Sequence, residues 1–195
     1  MSATRPRLVV GVAGSSAPQI GLTLLRALRQ LDAVETHLVV SAGAQRTIEL
    51  ELDGGIEALR SLADVVHDAC DLAAPISSGS FRTLGMVVAP CSMGRLAAIA
   101  NGNSDDLLAR AADVTLKERR PLVLVTREAP LNLIHIRNME AATLAGATIF
   151  PPVPAFYHRP VTIDDLLNQI AGRILDQLGI EHRLLERWTG PGASE

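Results

Sequence analysis

The chain has 195 residues, 48% of them hydrophobic and only 3% aromatic, with 18 basic residues against 21 acidic ones for a formal net charge of -3. That charge supplies no field to attract nucleic acid or an anionic membrane, and no apolar run nears the roughly 20 residues needed to cross a bilayer. Two cysteines, Cys70 and Cys91, are too few for a disulfide framework. A core of Ala, Val, Leu and Ile suits helices packed closely on a parallel sheet, and no linker-like stretch divides it. Residues 1–188 are therefore expected to form one domain, with 189–195 as a disordered tail. The opening MSATRPRLVVGVAG lacks the pattern of a signal peptide, so the cytoplasm is the expected compartment.

Arg7 begins the apolar run RLVVGVAG, which ends in Gly14 and two serines, and Leu22, Leu24, Leu25, Leu28 and Leu31 then recur at helical spacing. This is strand, turn, helix. THLVVS reads as a second strand ending at Ser41, and helical spacing resumes over 45–52 until Asp53-Gly54-Gly55 breaks it. A third strand is expected at Val65-Val66-His67, and 71–84, rich in Ser and Gly without a period, reads as a loop. Residues 86–92 form an apolar strand running into Met93-Gly94 and an Ala/Leu-rich helix. Residues 107–119 read as helix, 122–126 as strand, 133–145 as helix, and 147–150 as a short strand halted by Pro151-Pro152. The last helix spans 163–178, with Thr162 as N-cap and Asp164-Asp165 in the first turn, where the helix dipole favours acids. The alternation predicts a Rossmann-like three-layer α/β/α fold with a mainly parallel sheet, whose ligands sit beyond the carboxyl ends of the strands.

Ser15-Ser16, Ser41, Cys91-Ser92-Met93-Gly94 and Arg127-Glu128 each follow an apolar run directly, so their turns converge on one crevice. The first turn is not GxGxxG, no acidic residue closes the second strand, and the lysine of a P-loop is missing, which disfavours NAD and ATP. A helix N-terminus lined with small hydroxyls suits a monophosphate, and FMN fits that description, although a serine-rich turn serves more often as a simple cap. The five histidines are scattered singly, without HExxH or CxxC, and the doublets Asp105-Asp106 and Asp164-Asp165 read as helix caps, so no metal is expected. Cys91 reads as a small buried residue, with no histidine beside it in sequence. Two stretches fit plain scaffolding less well. LVLVTREAP ends a core strand in an adjacent cation and anion, either a surface ion pair or two working groups. PPVPAFYHRP holds the sole tyrosine, Tyr157, on a proline-stiffened loop, either as a phosphate clamp or ring platform or in ordinary Phe-Tyr packing.

Taken together, SSGS at 77–80, APCSMG at 89–94, RAADVTLKERRPLVLVTREAP at 110–130 and PPVPAFYHRP at 151–160 carry a resemblance. LVVGVAGSS, ETHLVVS and the arginine-bearing last helix with Trp188 beyond it extend the likeness, and the chain resembles the UbiX-type flavin prenyltransferases over nearly its whole length. The resemblance implies FMN, reduced, as acceptor and dimethylallyl monophosphate as donor, with the allyl group joined to N5 and C6 of the flavin and no metal required. It implies prenylated FMN as product, used by UbiD-type decarboxylases in ubiquinone biosynthesis or aromatic-acid metabolism, and a dodecamer with sites between subunits. By motif, Gly14, Ser15, Ser16 and Ser41 would hold the FMN phosphate and neighbouring groups, Ser92, Met93, Gly94 and Arg95 would lie beside the flavin, and Arg127 would reach FMN across a subunit boundary. Lys117, Tyr157 and Arg173 would bind the prenyl phosphate, and Glu128 would serve where protons move, so that Glu128, Lys117 and Tyr157 form the catalytic set.

Departures from the family pattern are visible. The usual GASG is Gly14-Ser15-Ser16-Ala17 here, which puts any need for a positive φ at Ala17 in question. The usual Ser-Lys is Ser41-Ala42, Thr126 stands where proline is frequent, and Leu72 lies where some members carry an aromatic. An FMN-dependent cysteine decarboxylase would share the fold, but its catalytic histidine and PASANT-like segment are missing. A flavin carrier without turnover would have no use for a second phosphate site.

Overall fold

The computed structural model describes residues 5–185 together with Arg187, Trp188 and Gly190. Gly190 apart, the expected tail at 189–195 lies outside the described residues. Strands β1 (Arg7–Val12), β2 (Glu35–Val40), β3 (Val65–His67), β4 (Gly85–Cys91), β5 (Leu122–Thr126) and β6 (Thr148–Ile149) form one sheet in the order β3-β2-β1-β4-β5-β6, and every pairing is parallel. The fold is the Rossmann-like α/β type. The central strands β1, β4 and β5 read as apolar runs because both faces are covered, and β4 is buried at every position.

Successive side chains divide between the two covers. Leu8, Val10, Val12, Val87 and Ala89 enter one core with Leu24, Leu25 and Leu28 of α1 (Gln19–Leu31) and Ile170 and Ile174 of α7 (Ile163–Gln177). Val9, Met86, Val88 and Leu124 enter the other with Leu96 of α4 (Met93–Ala100) and Leu107 and Leu108 of α5 (Leu107–Lys117). This is the period of two of a strand read by two helical layers.

The expected caps form. Asp106 accepts from the Ala109 N–H at the start of α5, and Thr162 and Asp165 exchange bonds in a capping box at the start of α7. Backbone N–H groups of Thr162 and Val161 hold the Asp165 carboxyl below its ordinary pKa. Helix α2 (Ala42–Glu51) starts earlier than its apolar period suggests, because Ser41 already has the extended backbone of an N-cap. Gly54 and Gly55, at φ 80 and 58, do break that helix, but a further short helix, α3 (Gly55–Arg60), restarts at once. The stretch read as a loop contains one 3-10 turn at Pro75–Ser77. α6 (Leu133–Leu144) leads to β6, which is only two residues long at the sheet edge.

Strand order reverses between β1, which neighbours β2, and β4 on its other side, so the crevice of a doubly wound sheet opens at their carboxyl ends. Below it, His37 of β2 is buried with Nδ1 2.9 Å from His67 Nε2 and Nε2 2.8 Å from Glu35 Oε1. Burial, reinforced by His37 and opposed by Asp71, holds the His67 pKa below the ordinary histidine value. No helix among the described residues is long and apolar enough to cross a membrane.

Candidate functional site

The turns that leave β1, β2, β4 and β5 are stitched together beyond the last paired residues. The Ala13 N–H donates to the Pro90 carbonyl at 3.0 Å, the Ser41 N–H to the Val12 carbonyl at 3.0 Å, and the Arg127 N–H to the Cys91 carbonyl at 3.2 Å. A β-carbon on Gly14 would meet the Gly43 carbonyl oxygen at 2.5 Å, so only glycine lets the first turn lie against the start of α2. Ser15 Oγ donates to the Arg127 carbonyl at 3.0 Å, tying the first turn to the one after β5. Gly14, Ser15, Ser16, Ser41, Ser92, Gly94, Arg127 and Glu128 thus share one end of the sheet.

Ala17 sits in the left-handed region at φ 71, the conformation for which glycine is the usual residue. Its N–H donates at 2.9 Å to Glu51 Oε2, and Ser16 Oγ donates to the same oxygen at 2.9 Å. Gln19 Nε2 donates to the Glu51 carbonyl. The last residue of α2 therefore places a carboxylate at the N-terminus of α1 and orients the Ser16 hydroxyl. Sequence reasoning missed Glu51, because one acid at a helix end looks solvated until the fold returns it to this turn.

Ser92 caps α4, its Oγ accepting from the Arg95 N–H at 3.2 Å, which leaves its own proton to donate. A β-carbon on Gly94 would meet nothing within 4 Å, so the helix start is open there. Met93 is buried in the core. The Arg95 guanidinium is committed to Asp106, at 2.8 and 2.5 Å, and to Asp105 at 3.4 Å. Ser41 is 3% exposed, and Thr126 Oγ1, at the carboxyl end of β5, is buried without a hydrogen-bond partner.

Arg127 and Glu128 are both exposed, and among the described residues no ion pair joins them. Glu128 Oε1 accepts from the Ala129 N–H at 3.1 Å. The surface ion pair is therefore not what ends β5. Cys91 is fully buried, and burial pushes its thiol up to about 12 despite nearby Arg95, which leaves it inert as a nucleophile. Among the described residues no group of three or more His, Cys, Asp or Glu side chains is arranged for a metal ion.

Tyr157 and Arg173 line one cavity of about 530 Å3, together with Gln169, Leu185, Arg187 and Trp188. The phenol ring meets His158 and Trp188 edge to face, at centroid separations of 5.4 and 6.0 Å. Asp176 is the hub beside it, with Arg187 at 2.9 Å, His182 at 3.1 Å and Arg173 at 3.3 Å. Burial drives the Asp176 pKa upward, but hydrogen bonds from Arg187 and His182 outweigh it and leave the carboxyl below its ordinary value. A β-carbon on Gly172 would meet Leu185 and His182 at 2.7 and 2.8 Å, so the segment after α7 lies directly on that helix. Arg187 was not legible as a cavity residue, since only this return of the chain brings it against Gln169 and Arg173 of α7.

The expected site residues fall in three places within one chain: the crevice turns, the Tyr157–Arg173 cavity, which shares no lining residue with those turns, and Lys117, which belongs to neither. It ends α5, before β5, whereas Glu128 follows β5, and the five residues of that strand span roughly 17 Å at about 3.3 Å each. A residue preceding a parallel strand lies at its amino end, opposite the crevice. There Lys117 Nζ pairs with Glu118, whose pKa that hydrogen bond lowers. With Arg119, Arg120 and Leu144 it rims a concavity of about 720 Å3.

A model of the family described as Flavoprotein matches residues 2–175. Flavin prenyltransferase UbiX of Escherichia coli strain K12 is 54% identical over 186 residues, which cover 94% of this chain and 98% of that protein. Among solved structures, the crystal structure of AnUbiX (PadA1) in complex with FMN and dimethylallyl pyrophosphate matches with a TM-score of 0.93 at 54% identity, covering 95% of this chain and 98% of that one. The dodecameric FMN-dependent UbiX-like decarboxylase from Escherichia coli O157:H7 matches with a TM-score of 0.92 at 51% identity, covering 94% and 100%. With more than half of the residues shared along nearly the full length, and the backbone in agreement, the chain belongs to the flavoprotein family and, within it, to the UbiX flavin prenyltransferases.

Proposed function

We propose that this protein transfers a dimethylallyl group from dimethylallyl monophosphate to N5 and C6 of reduced FMN, without a metal, in sites shared between subunits of a dodecamer. We further propose a cytoplasmic setting and a UbiD-type decarboxylase as the user of the product. The observation that carries the reading is the presence of two places suited to phosphoryl groups: the serine-lined crevice at the switch point, and the Tyr157–Arg173 cavity. A protein that merely stored a flavin would need only the first.

The residues at the crevice fit FMN. Ser41 and Ser92 open α2 and α4, where hydroxyls and backbone N–H groups at helix starts favour a phosphate, and Ser92 keeps its proton to donate. At the first turn a phosphate would have to take over the donors that Ser16 and Ala17 give to Glu51 and that Ser15 gives to the Arg127 carbonyl. Thr126 Oγ1, buried without a partner, supports the reading that a ligand atom completes this end of β5. Gly94 leaves the start of α4 open, and Arg127 adds an exposed cation. Bound FMN supplies, in its reduced form, the nucleophilic ring atoms that accept the allyl group.

Tyr157 and Arg173 would hold the prenyl phosphate. A monophosphate leaves less readily than a magnesium-bound diphosphate, so the phenol and the guanidinium must stabilise charge on the departing oxygen. Lys117 would come from a neighbouring copy, which accounts for its position at the amino end of its own sheet, opposite the crevice. Glu128, whose carboxylate is held only by the adjacent Ala129 N–H among the bonds described, would take up the proton released on ring closure. Exposed Val153, Phe156, Val161 and Ile163 flank the tyrosine loop, and a neighbouring subunit covering them would exclude water from a cation-like allyl group.

The test is to incubate the purified protein with reduced FMN and dimethylallyl monophosphate, and in parallel with the pyrophosphate, in the presence of a chelator. Mass spectrometry should detect the prenylated flavin. Unchanged FMN in both reactions would reduce the protein to a flavin carrier.

A further inference from the structure

The segment after α7 brings a second guanidinium to the tyrosine cavity. Arg173 Nη1 lies 3.3 Å from Asp176 Oδ2, and Arg187 Nη2 lies 2.9 Å from Asp176 Oδ1. One carboxylate is in ion-pair distance of two guanidiniums, with Glu181 a further acid that acts on Arg187 from beyond that distance, and His182 also engages Asp176 at 3.1 Å. The Asp176 side chain is 16% exposed, whereas Arg173 and Arg187 are 48% and 56% exposed, so both cations keep N–H groups open to their surroundings. Both line the cavity that holds Tyr157, and Trp188, the residue after Arg187, meets the tyrosine ring edge to face.

We propose that Arg187 is a second phosphate-binding residue of this cavity, forming with Arg173 a two-armed clamp on the phosphoryl group of the prenyl donor, with Asp176 as the positioning residue between the arms. The proposal rests on the reading of this cavity as the prenyl-phosphate site. Planar guanidinium forks match phosphate oxygens two at a time, which a point-charge lysine does not. The arm is also pre-placed. Because Gly172 lets Leu185 and His182 sit directly on α7, packing as well as the Asp176 pair sets the position of Arg187.

Trp188 is the sole tryptophan of the chain, so its emission reports the position of this segment. The full-length protein and its Arg187→Ala, Arg187→Lys and Asp176→Asn variants would be compared for KM of dimethylallyl monophosphate, FMN affinity, inhibition by inorganic phosphate and Trp188 emission. Removing one charge-assisted contact should raise KM for the phosphate ester about 10- to 100-fold in Arg187→Ala. Inhibition by inorganic phosphate should weaken in parallel, while FMN affinity stays at the wild-type value. Arg187→Lys should recover part of the loss, and Asp176→Asn should raise the same KM by a smaller factor. If the wild type turns over and Arg187→Ala keeps both its KM and its phosphate inhibition, Arg187 is only a tether and the clamp is overturned while the prenyltransferase reading stands. A wild type that neither binds the ester nor turns over removes the parent reading as well. Where Trp188 emission shows the segment displaced in Arg187→Ala, Arg187→Lys decides: a raised KM with wild-type emission supports the clamp, and an unchanged KM overturns it.

Discussion

Replacing Glu51 by alanine tests how the first turn is held. The carboxylate accepts from Ser16 Oγ and from the N–H of Ala17, both at 2.9 Å, and Ala17 is held at φ 71, where an L-residue other than glycine is strained. A charge-assisted hydrogen bond contributes about 1.5–3 kcal/mol when sheltered. Both bonds here are exposed to solvent, so the pair is worth about 1–2 kcal/mol after screening. With a urea m-value of about 2 kcal/mol/M, the midpoint should fall by about 0.5–1 M, at fixed protein concentration because assembly shifts apparent stability. The origin of the effect is separable. Ala17→Gly removes a left-handed strain of about 1–2 kcal/mol, so Glu51→Ala should cost less in that background, with a coupling on the order of 0.5–1 kcal/mol. A midpoint unmoved by Glu51→Ala, or strict additivity of the two changes, would refute the idea that the carboxylate clamps the turn.

Glu128→Gln should retain FMN, measured by flavin fluorescence, while kcat drops about 10²- to 10⁴-fold; wild-type turnover in that variant would remove Glu128 from proton transfer. Because the fold holds the His67 pKa below its unfolded value, His67 contributes stability that is complete above about pH 6.5 and is lost as pH falls through the lowered folded pKa. The urea midpoint should therefore begin to decline as pH falls below about 6.5, above the range where Asp165 and Asp176, whose folded pKa values are lowered, begin to lose their contributions. His67→Gln should flatten that decline, and an unaltered slope would contradict the assignment. Cys91, with its thiol near 12, should resist iodoacetamide at pH 8 in a Cys70→Ser background until the protein is unfolded, and rapid labelling of the native protein would contradict its burial.

The central strands β1, β4 and β5 were legible because each is a short apolar run buried on both faces, and the convergence of the serine turns followed from their placement after such runs. Thr162 and Asp106 were legible as caps for the same local reason. Ala17 was not, since nothing in an alanine announces a left-handed backbone; only the contrast with a glycine-bearing turn raised the question. Glu51 and Arg187 were illegible because their roles depend on where α2 ends beside α1 and on how the chain returns along α7. Helix α3 was missed because six residues beginning at the second of two glycines carry too little period to register.

The position of Lys117 at the amino end of β5 has a consequence for mixed particles. A chain carrying Lys117→Ala still offers its own Tyr157, Arg173 and Glu128, while a chain carrying Glu128→Gln still offers its lysine. If, as proposed, Lys117 serves a neighbouring copy's site, co-assembled inactive chains whose defects fall on opposite sides of a shared boundary should regenerate some intact sites, and blending the two preparations under dissociating and reassociating conditions should restore a fraction of turnover that neither has alone.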